Sequence, residues 1–236
     1  MKKLIFLTAF FLGFLTITLA QENYTGGAKP DNYHQTILPP TSGAREWTGC
    51  LPCAIPEGEP PIIDDIGDLT NYGCNGYEFE PDRPELFSSI TLGDVICGTG
   101  EQYSYLGTPF RDTDWYRFVL TTSKDLYWTS IANFPTYIFI IQGPCQLPYP
   151  PVLQSQYVPA GTTGQIHQLL PPGEYYFWIG PSYWGPEFEG DYMVTLTEGL
   201  PQTDWCRNKV PVSDWAIVIG LILIASFAMV RYYRGR

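Results

Sequence analysis

Basic charge is what the sequence has least of. Thirteen Lys and Arg stand against 24 Asp and Glu, a formal net charge of -11, which disfavours nucleic acid as a partner. Lys2, Lys3, Arg231, Arg234 and Arg236 sit at the two ends and every carboxylate lies between Glu22 and Asp214, so the middle is more acidic still. Histidine is almost missing too. His34 and His167 are the only two. With neither G-x-S-x-G nor H-E-x-x-H present, a hydrolase would have to be built without a local signature. Between the ends there is no long apolar run and no sustained period of 3.6, so nothing there drives helix formation.

What is present at the ends reads as export and anchoring. Lys2 and Lys3, an apolar stretch from Leu4 to Leu19, and small residues at Thr18 and Ala20 have the plan of a signal peptide over residues 1–20, cut before Gln21. The closing run from Trp215, with Tyr232 and Tyr233 at the interface, is long enough for one transmembrane helix over 215–233. Basic residues only on its far side place 234–236 in the cytoplasm and the acidic body outside. A buried core helix is the alternative for this run, but it lacks a polar face.

Cys50, Cys53, Cys74, Cys97, Cys145 and Cys206 all fall in the exported part, and an even number in an oxidising compartment argues for disulfides. Many connectivities are open, and Cys74 with Cys97 is the first expected. Cys50-Leu51-Pro52-Cys53 has redox spacing, but without a helix N-terminus to depress a thiol pKa it reads as structural. No second close Cys/His pair suggests zinc.

Residues 21–56 are rich in Gly, Pro and Thr and read as an irregular arm, fastened by Cys50 or Cys53. Beyond Pro84, short aromatic and β-branched runs separated by Gly and Pro predict an all-β, antiparallel sandwich. The expected strands are 87–92, 95–97, 115–121, 126–132, 136–142, 165–169, 174–179 and 192–197. Alternation points Tyr116, Phe118, Leu120, Tyr192, Val194 and Leu196 to the core. The almost wholly aromatic run Glu174 to Ile179 suits a central strand buried on both faces. The sandwich spans 57–200 and a linker 201–214 follows.

Three segments then carry a family likeness. Arg111-Asp112-Thr113-Asp114-Trp115-Tyr116-Arg117-Phe118, Pro172-Gly173-Glu174-Tyr175-Tyr176-Phe177-Trp178-Ile179 and Gly190-Asp191-Tyr192-Met193-Val194-Thr195-Leu196 together resemble the bacterial pre-peptidase C-terminal domain, over about residues 57–198. The resemblance implies a jelly-roll-like, non-catalytic, secreted sandwich that is accessory to something else, although no peptidase precedes it here. Val210-Pro211-Val212-Ser213-Asp214-Trp215, with the span and arginines behind it, resembles the sorting tails of PEP-CTERM and IPTL-CTERM surface proteins. A processing enzyme that removes the tail and a plain membrane anchor both fit.

Calcium is the candidate cofactor. Glu57 and Glu59 stand beside a proline turn, Asp64 and Asp65 follow, and Asp112 and Asp114 flank a strand start; hard oxygens from separate loops suit a cation of six to eight ligands. By the resemblance, calcium ligands fall at Glu57, Glu59, Asp112 and Asp114. The competing reading has the aspartates bonding turn amides and the glutamates solvated. Tyr183 and Trp184 on the loop before Gly190, with Tyr103 and Tyr105, are candidates for stacking on a sugar or a partner; the commoner outcome for such rings is to fold back as a satellite core. The leading function is a non-catalytic cell-surface module of the envelope that binds an extracellular glycan or an envelope protein. A purely structural, disulfide-stapled component is the second reading and a secreted hydrolase the third.

Overall fold

A computed structural model describes residues 25–29, 49–146, 150–184, 188–199 and 205. All belong to one compact unit, Met1–Trp205. The predicted signal peptide, most of the arm, the linker apart from Trp205, the span and the Val210–Trp215 motif lie outside the described residues. Among those described, no helix is long and apolar enough to cross a membrane.

In chain order the elements are β1 (Ile55–Pro56), a 3-10 turn (Cys74–Glu78), β2 (Ser88–Ser89), β3 (Val95–Tyr105), β4 (Thr108–Arg111), β5 (Asp114–Leu120) and β6 (Lys124–Ala132). Then follow β7 (Thr136–Gln142), β8 (Val152–Val158), β9 (Thr163–Leu170), β10 (Gly173–Pro181) and β11 (Phe188–Glu198). One sheet runs β1-β3-β11-β6-β9 with β4 also on β3, and the other β2-β5-β10-β7-β8. The two short strands β1 and β2 pair in parallel with β3 and β5, and every other pairing is antiparallel. The long strands thus stand as β3-β11-β6-β9 and β5-β10-β7-β8, a jelly-roll-like double sheet.

Period 2 explains the core. Tyr116 and Leu120 of β5, Tyr175, Phe177 and Ile179 of β10, and Tyr192, Val194 and Leu196 of β11 meet between the sheets, with Phe118 packed at the edge. Of the alternate set on β5, Arg117 and Val119 are exposed, but Trp115 is buried. Trp115, Tyr176 and Trp178 are fully buried on the outer face of the five-stranded sheet, with Phe139, Ile141 and Cys74. β10 lies between β5 and β7 and is buried on both sides, as its composition required. On the outer face of the other sheet, Val95, Ile131 and Met193 are covered by Cys50, Leu51, Ala54 and Trp205.

These two outer clusters decide the disulfides. Cys97 faces outward beside Val95, whereas Cys74 sits against Trp115 on the opposite outside of the sandwich. The expected Cys74–Cys97 bridge therefore cannot form. The bridges are Cys50–Cys97, with Cα atoms 5.9 Å apart, and Cys74–Cys145, at 5.6 Å. Cys53 is also disulfide-bonded; Cys206 lies outside the described residues. Cys74–Cys145 closes 71 residues of sequence. Replacing both by Ala is expected to cost about 4 kcal/mol, read as a melting temperature lower by roughly 10 °C in calorimetry.

Candidate functional site

Three short segments, around Glu57 and Glu59, Asp68, and Asp112 and Asp114, bring carboxylates together. After β1 pairs beside β3, the Glu57 amide donates to the Cys97 carbonyl at 2.8 Å. This aims the Glu57 side chain across Gly98, where a Cβ would stand 2.1 Å from its Oε2 and 2.4 Å from the Tyr192 hydroxyl. Only a glycine leaves that passage open. The Glu57 carboxylate accepts from the Tyr116 hydroxyl at 2.5 Å, the Asn71 amide at 2.6 Å and the Tyr192 hydroxyl at 2.8 Å. Two core tyrosines thus anchor it from below, 2.7 Å from each other.

Gly58, with φ of 81°, turns the chain so that Glu59 enters from the same side and meets the Thr70 hydroxyl. Asp68 follows Gly67, whose φ is also 81°. One of its oxygens accepts the Thr70 amide at 2.8 Å, an Asx turn that fixes its direction. Asp112 and Asp114 bracket the entrance to β5. Between them, Thr113 accepts from Asn75 at 3.1 Å.

Oxygens of Glu57, Glu59 and Asp114 lie within 4.8 Å of one another, as do those of Glu59, Asp68 and Asp112. Asp68, Asp112 and Asp114 are no more than 1% exposed. Among the described residues, no N–H or hydroxyl donor reaches Glu59 Oε2, Asp68 Oδ2, Asp112 Oδ1, Asn71 Oδ1 or either oxygen of Asp114. Buried oxygens without a donor are costly, and more so when charged. Burial is accordingly the chief cause that pushes Glu57 up to about 7 and Glu59 up to about 8. Asp68 is raised by burial against the opposing Thr70 bonds and the Arg83 charge. Asp112 and Asp114 are raised well above the carboxylate range by burial and then by repulsion from their neighbours.

All four carboxylates expected from the sequence meet here. Asp64 and Asp65 do not: they accept the amides of Ser104 and Leu106 and pin the 62–67 loop on the β3–β4 hairpin. Asp68 and Asn71 were missed. The signal available for Asp68 was the Gly67-Asp68-Leu69-Thr70 turn; for Asn71 there was none. Alternation places Tyr116 and Tyr192 in the core, and their hydroxyls also reach the site.

The aromatic candidates are not gathered on an open patch. Trp184 is 6% exposed, its indole N–H donates to the Gly27 carbonyl at 2.7 Å, and the Arg111 guanidinium lies 4.1 Å over its ring. Tyr103 and Tyr105 join Phe79 and Phe110 in a satellite cluster with centroids 5.3 to 5.7 Å apart. Tyr183 is half-buried, and its carbonyl accepts from Gln102. Four of the exposed apolar side chains, Ile63, Ile66, Leu69 and Leu106, lie on and around the pinned loop, and others, such as Val119 and Leu169, lie elsewhere. His167 stacks on Tyr127 at 4.9 Å with Asp125 at 3.6 Å. The open groove beside it is lined by Asp125, Gln154, Gln165, Ile166, Gln168 and Leu169, with no serine, threonine or cysteine.

No protein-family model and no curated protein matches the chain. Among solved structures it is similar to the pre-peptidase C-terminal domain of a collagenase from Bacillus anthracis, at 16% identity and a TM-score of 0.36, covering 49% of this chain and 99% of that one. It is also similar to PliG of Aeromonas hydrophila, a periplasmic inhibitor of g-type lysozyme, at 10% identity and 0.36, covering 48% and 95%. A third likeness is to a carbohydrate-binding module, CBM4, at 14% identity and 0.27, covering 36% and 60%. None of these likenesses assigns a function to this chain.

Proposed function

We propose that this is an exported, non-catalytic β-sandwich module whose acidic end binds calcium and whose surface engages an extracellular glycan or an envelope protein. Residues 215–233 hold it at the membrane, either as a lasting anchor or until a processing enzyme acts on the Val210–Trp215 motif. The observation that carries the calcium reading is the set of buried, donorless oxygens on Glu59, Asp68, Asn71, Asp112 and Asp114. A hard divalent cation with several oxygen ligands satisfies them at once, and Glu57 is held toward them by Tyr116, Tyr192 and Asn71. When bound, the cation supplies charge compensation and cross-links the segment around Glu57 and Glu59 to the entrance of β5. The exposed Ile63, Ile66 and Leu106 offer a partner its apolar contact.

Asp114→Asn tests the calcium reading with two signs. In wild type, millimolar calcium raises the melting temperature by ligand linkage. In the variant that gain falls by more than half, and calcium affinity measured by titration calorimetry falls at least tenfold. With chelator at pH 8 the variant is expected to be at least as stable as wild type, because a buried charge has been removed. An unchanged calcium response in Asp114→Asn contradicts the assignment.

A further inference from the structure

The terminal strands of the two sheets, β8 and β9, meet along a seam that glutamines fill. Gln156 Oε1 accepts the Gln165 amide at 2.8 Å, so the outer edge of β9 is closed there by a side chain of β8. A strand arriving from outside would find that ladder position taken. Further along the seam, Gln154 Nε2 donates to Gln168 Oε1 at 3.0 Å, a bond that uses one group of each amide and leaves the Gln154 oxygen and the Gln168 nitrogen for other partners. Gln154 is exposed and Gln168 half-buried. An acceptor and a donor thus stand side by side at the surface.

Next to them, His167 on β9 lies directly opposite Tyr127 on β6, and the two rings stack with centroids 4.9 Å apart and planes 17° from parallel. The His167 side chain is 62% exposed and lines the groove, whereas Tyr127 does not line it. One imidazole face is therefore backed by the tyrosine and the other is offered to the groove. Such backing holds the ring in place before anything binds. Gln165 is fixed in a similar way, its Nε2 donating to the Thr129 hydroxyl at 2.7 Å. Leu169, 66% exposed, adds an apolar flank, and Asp125 adds an acceptor 3.6 Å from His167 Nδ1. Among the described residues no lysine or arginine lines the groove, and the neighbouring Lys124 donates to Glu198 at 2.5 Å. An anionic ligand finds no counter-charge there.

We propose that the groove along β8 and β9 binds an uncharged hexopyranose oligosaccharide, one ring of which stacks on His167 while its hydroxyls meet Gln154, Gln168 and Asp125. A sugar hydroxyl both donates and accepts, as this set of amides and a carboxylate requires. From Gln165 to Leu169 the strand runs about 13 Å, enough for a few rings in a row. This site rests on the glycan reading of the function, gives it a place, and shares no residue with the acidic site.

The test is titration calorimetry on the full chain in a sugar-free detergent, with cellohexaose, chitohexaose, mannohexaose and laminarihexaose as uncharged probes and hexagalacturonate as an anionic one. At least one uncharged probe is expected to bind, and the anionic one is not. His167→Ala then weakens binding about tenfold, and His167→Tyr restores it because the stacking face returns. Gln154→Ala combined with Gln168→Ala also costs about tenfold, while Val119→Ala, exposed on β5, leaves binding unchanged. None of these four residues is buried, so the variants are expected to fold, with melting temperatures within about 2 °C of wild type. Binding that survives both His167→Ala and the double glutamine variant overturns this site and keeps the glycan reading. Binding of hexagalacturonate alone does the same. No binding of any probe overturns the site together with the glycan reading, and leaves the envelope protein as the partner.

Discussion

Chelation of divalent cations is expected to lower the melting temperature of this protein by roughly 10 °C at pH 8, and by much less at pH 5. The carboxyls of Glu57 and Glu59 are pushed up to about 7 and about 8 in the folded chain, chiefly by burial, against about 4.3 for an unhindered Glu. Without a cation the folded form therefore holds protons that the unfolded form has released. That stability is fully present below the unfolded value and is lost as pH rises through 7 to 8. The effect is on the order of 3 kcal/mol for the coupled group as a whole. With millimolar calcium the same carboxylates are ionised and compensated, so the decline between pH 5 and pH 8 flattens or reverses. Scanning calorimetry at pH 5, 6, 7 and 8, with calcium and with chelator, reads both signs. Parallel curves in the two conditions would show that no cation occupies the acidic end.

Gly98→Ala is expected to be among the most damaging single changes in the chain, for a reason unrelated to backbone freedom. The added Cβ falls 2.1 Å from Glu57 Oε2 and 2.4 Å from the ring and hydroxyl of Tyr192. Tyr192 is fully buried between the sheets and cannot yield. Glu57 can move only by breaking its bonds to Tyr116, Tyr192 and Asn71. The cost is about 3 kcal/mol of stability, or roughly 10 °C, and a loss of calcium affinity of at least tenfold. Gly93→Ala is the matched control. Its φ is 83° with nothing near the position of a Cβ, so it costs about 1 kcal/mol and leaves calcium binding unchanged. Equal calcium affinity in wild type and Gly98→Ala would mean that Glu57 does not help to hold the cation.

How far the sequence foretells this structure depends on whether a residue's neighbours lie within its own strand. Strands β5 and β11 follow from alternation and β6, β7, β9 and β10 from short aromatic and β-branched runs, and Thr136–Gln142 agrees to the residue. Three strands were not expected, β1, β4 and β8, nor was the 3-10 turn Cys74–Glu78. β8, Val152–Val158, is an edge strand and mostly half-buried, so its period is blurred. β4 begins exposed and contains Pro109. The 87–92 strand shrinks to Ser88–Ser89, because Phe87 packs on Tyr176 rather than continuing the ladder. β3 runs on to Tyr105 because Gly98 and Gly100, which look like breakers, are where Glu57, Tyr192 and Phe134 approach the strand. The acidic residues were legible as pairs two apart. Their convergence with Asp68 and Asn71 is a product of sheet pairing, and no local pattern encodes it. The disulfide pairing failed for the same reason: Cys74 and Cys97 are close in sequence but stand on opposite outer faces.

A crystal of the protein grown in calcium, with anomalous difference density recorded at long wavelength, tests the acidic end most directly. A peak bounded by oxygens of Glu59, Asp112 and Asp114, with Glu57 or Asp68 alongside, is the expected result. Carboxyl groups paired only with one another at pH 8, with no peak between them in the presence of millimolar calcium, would contradict it.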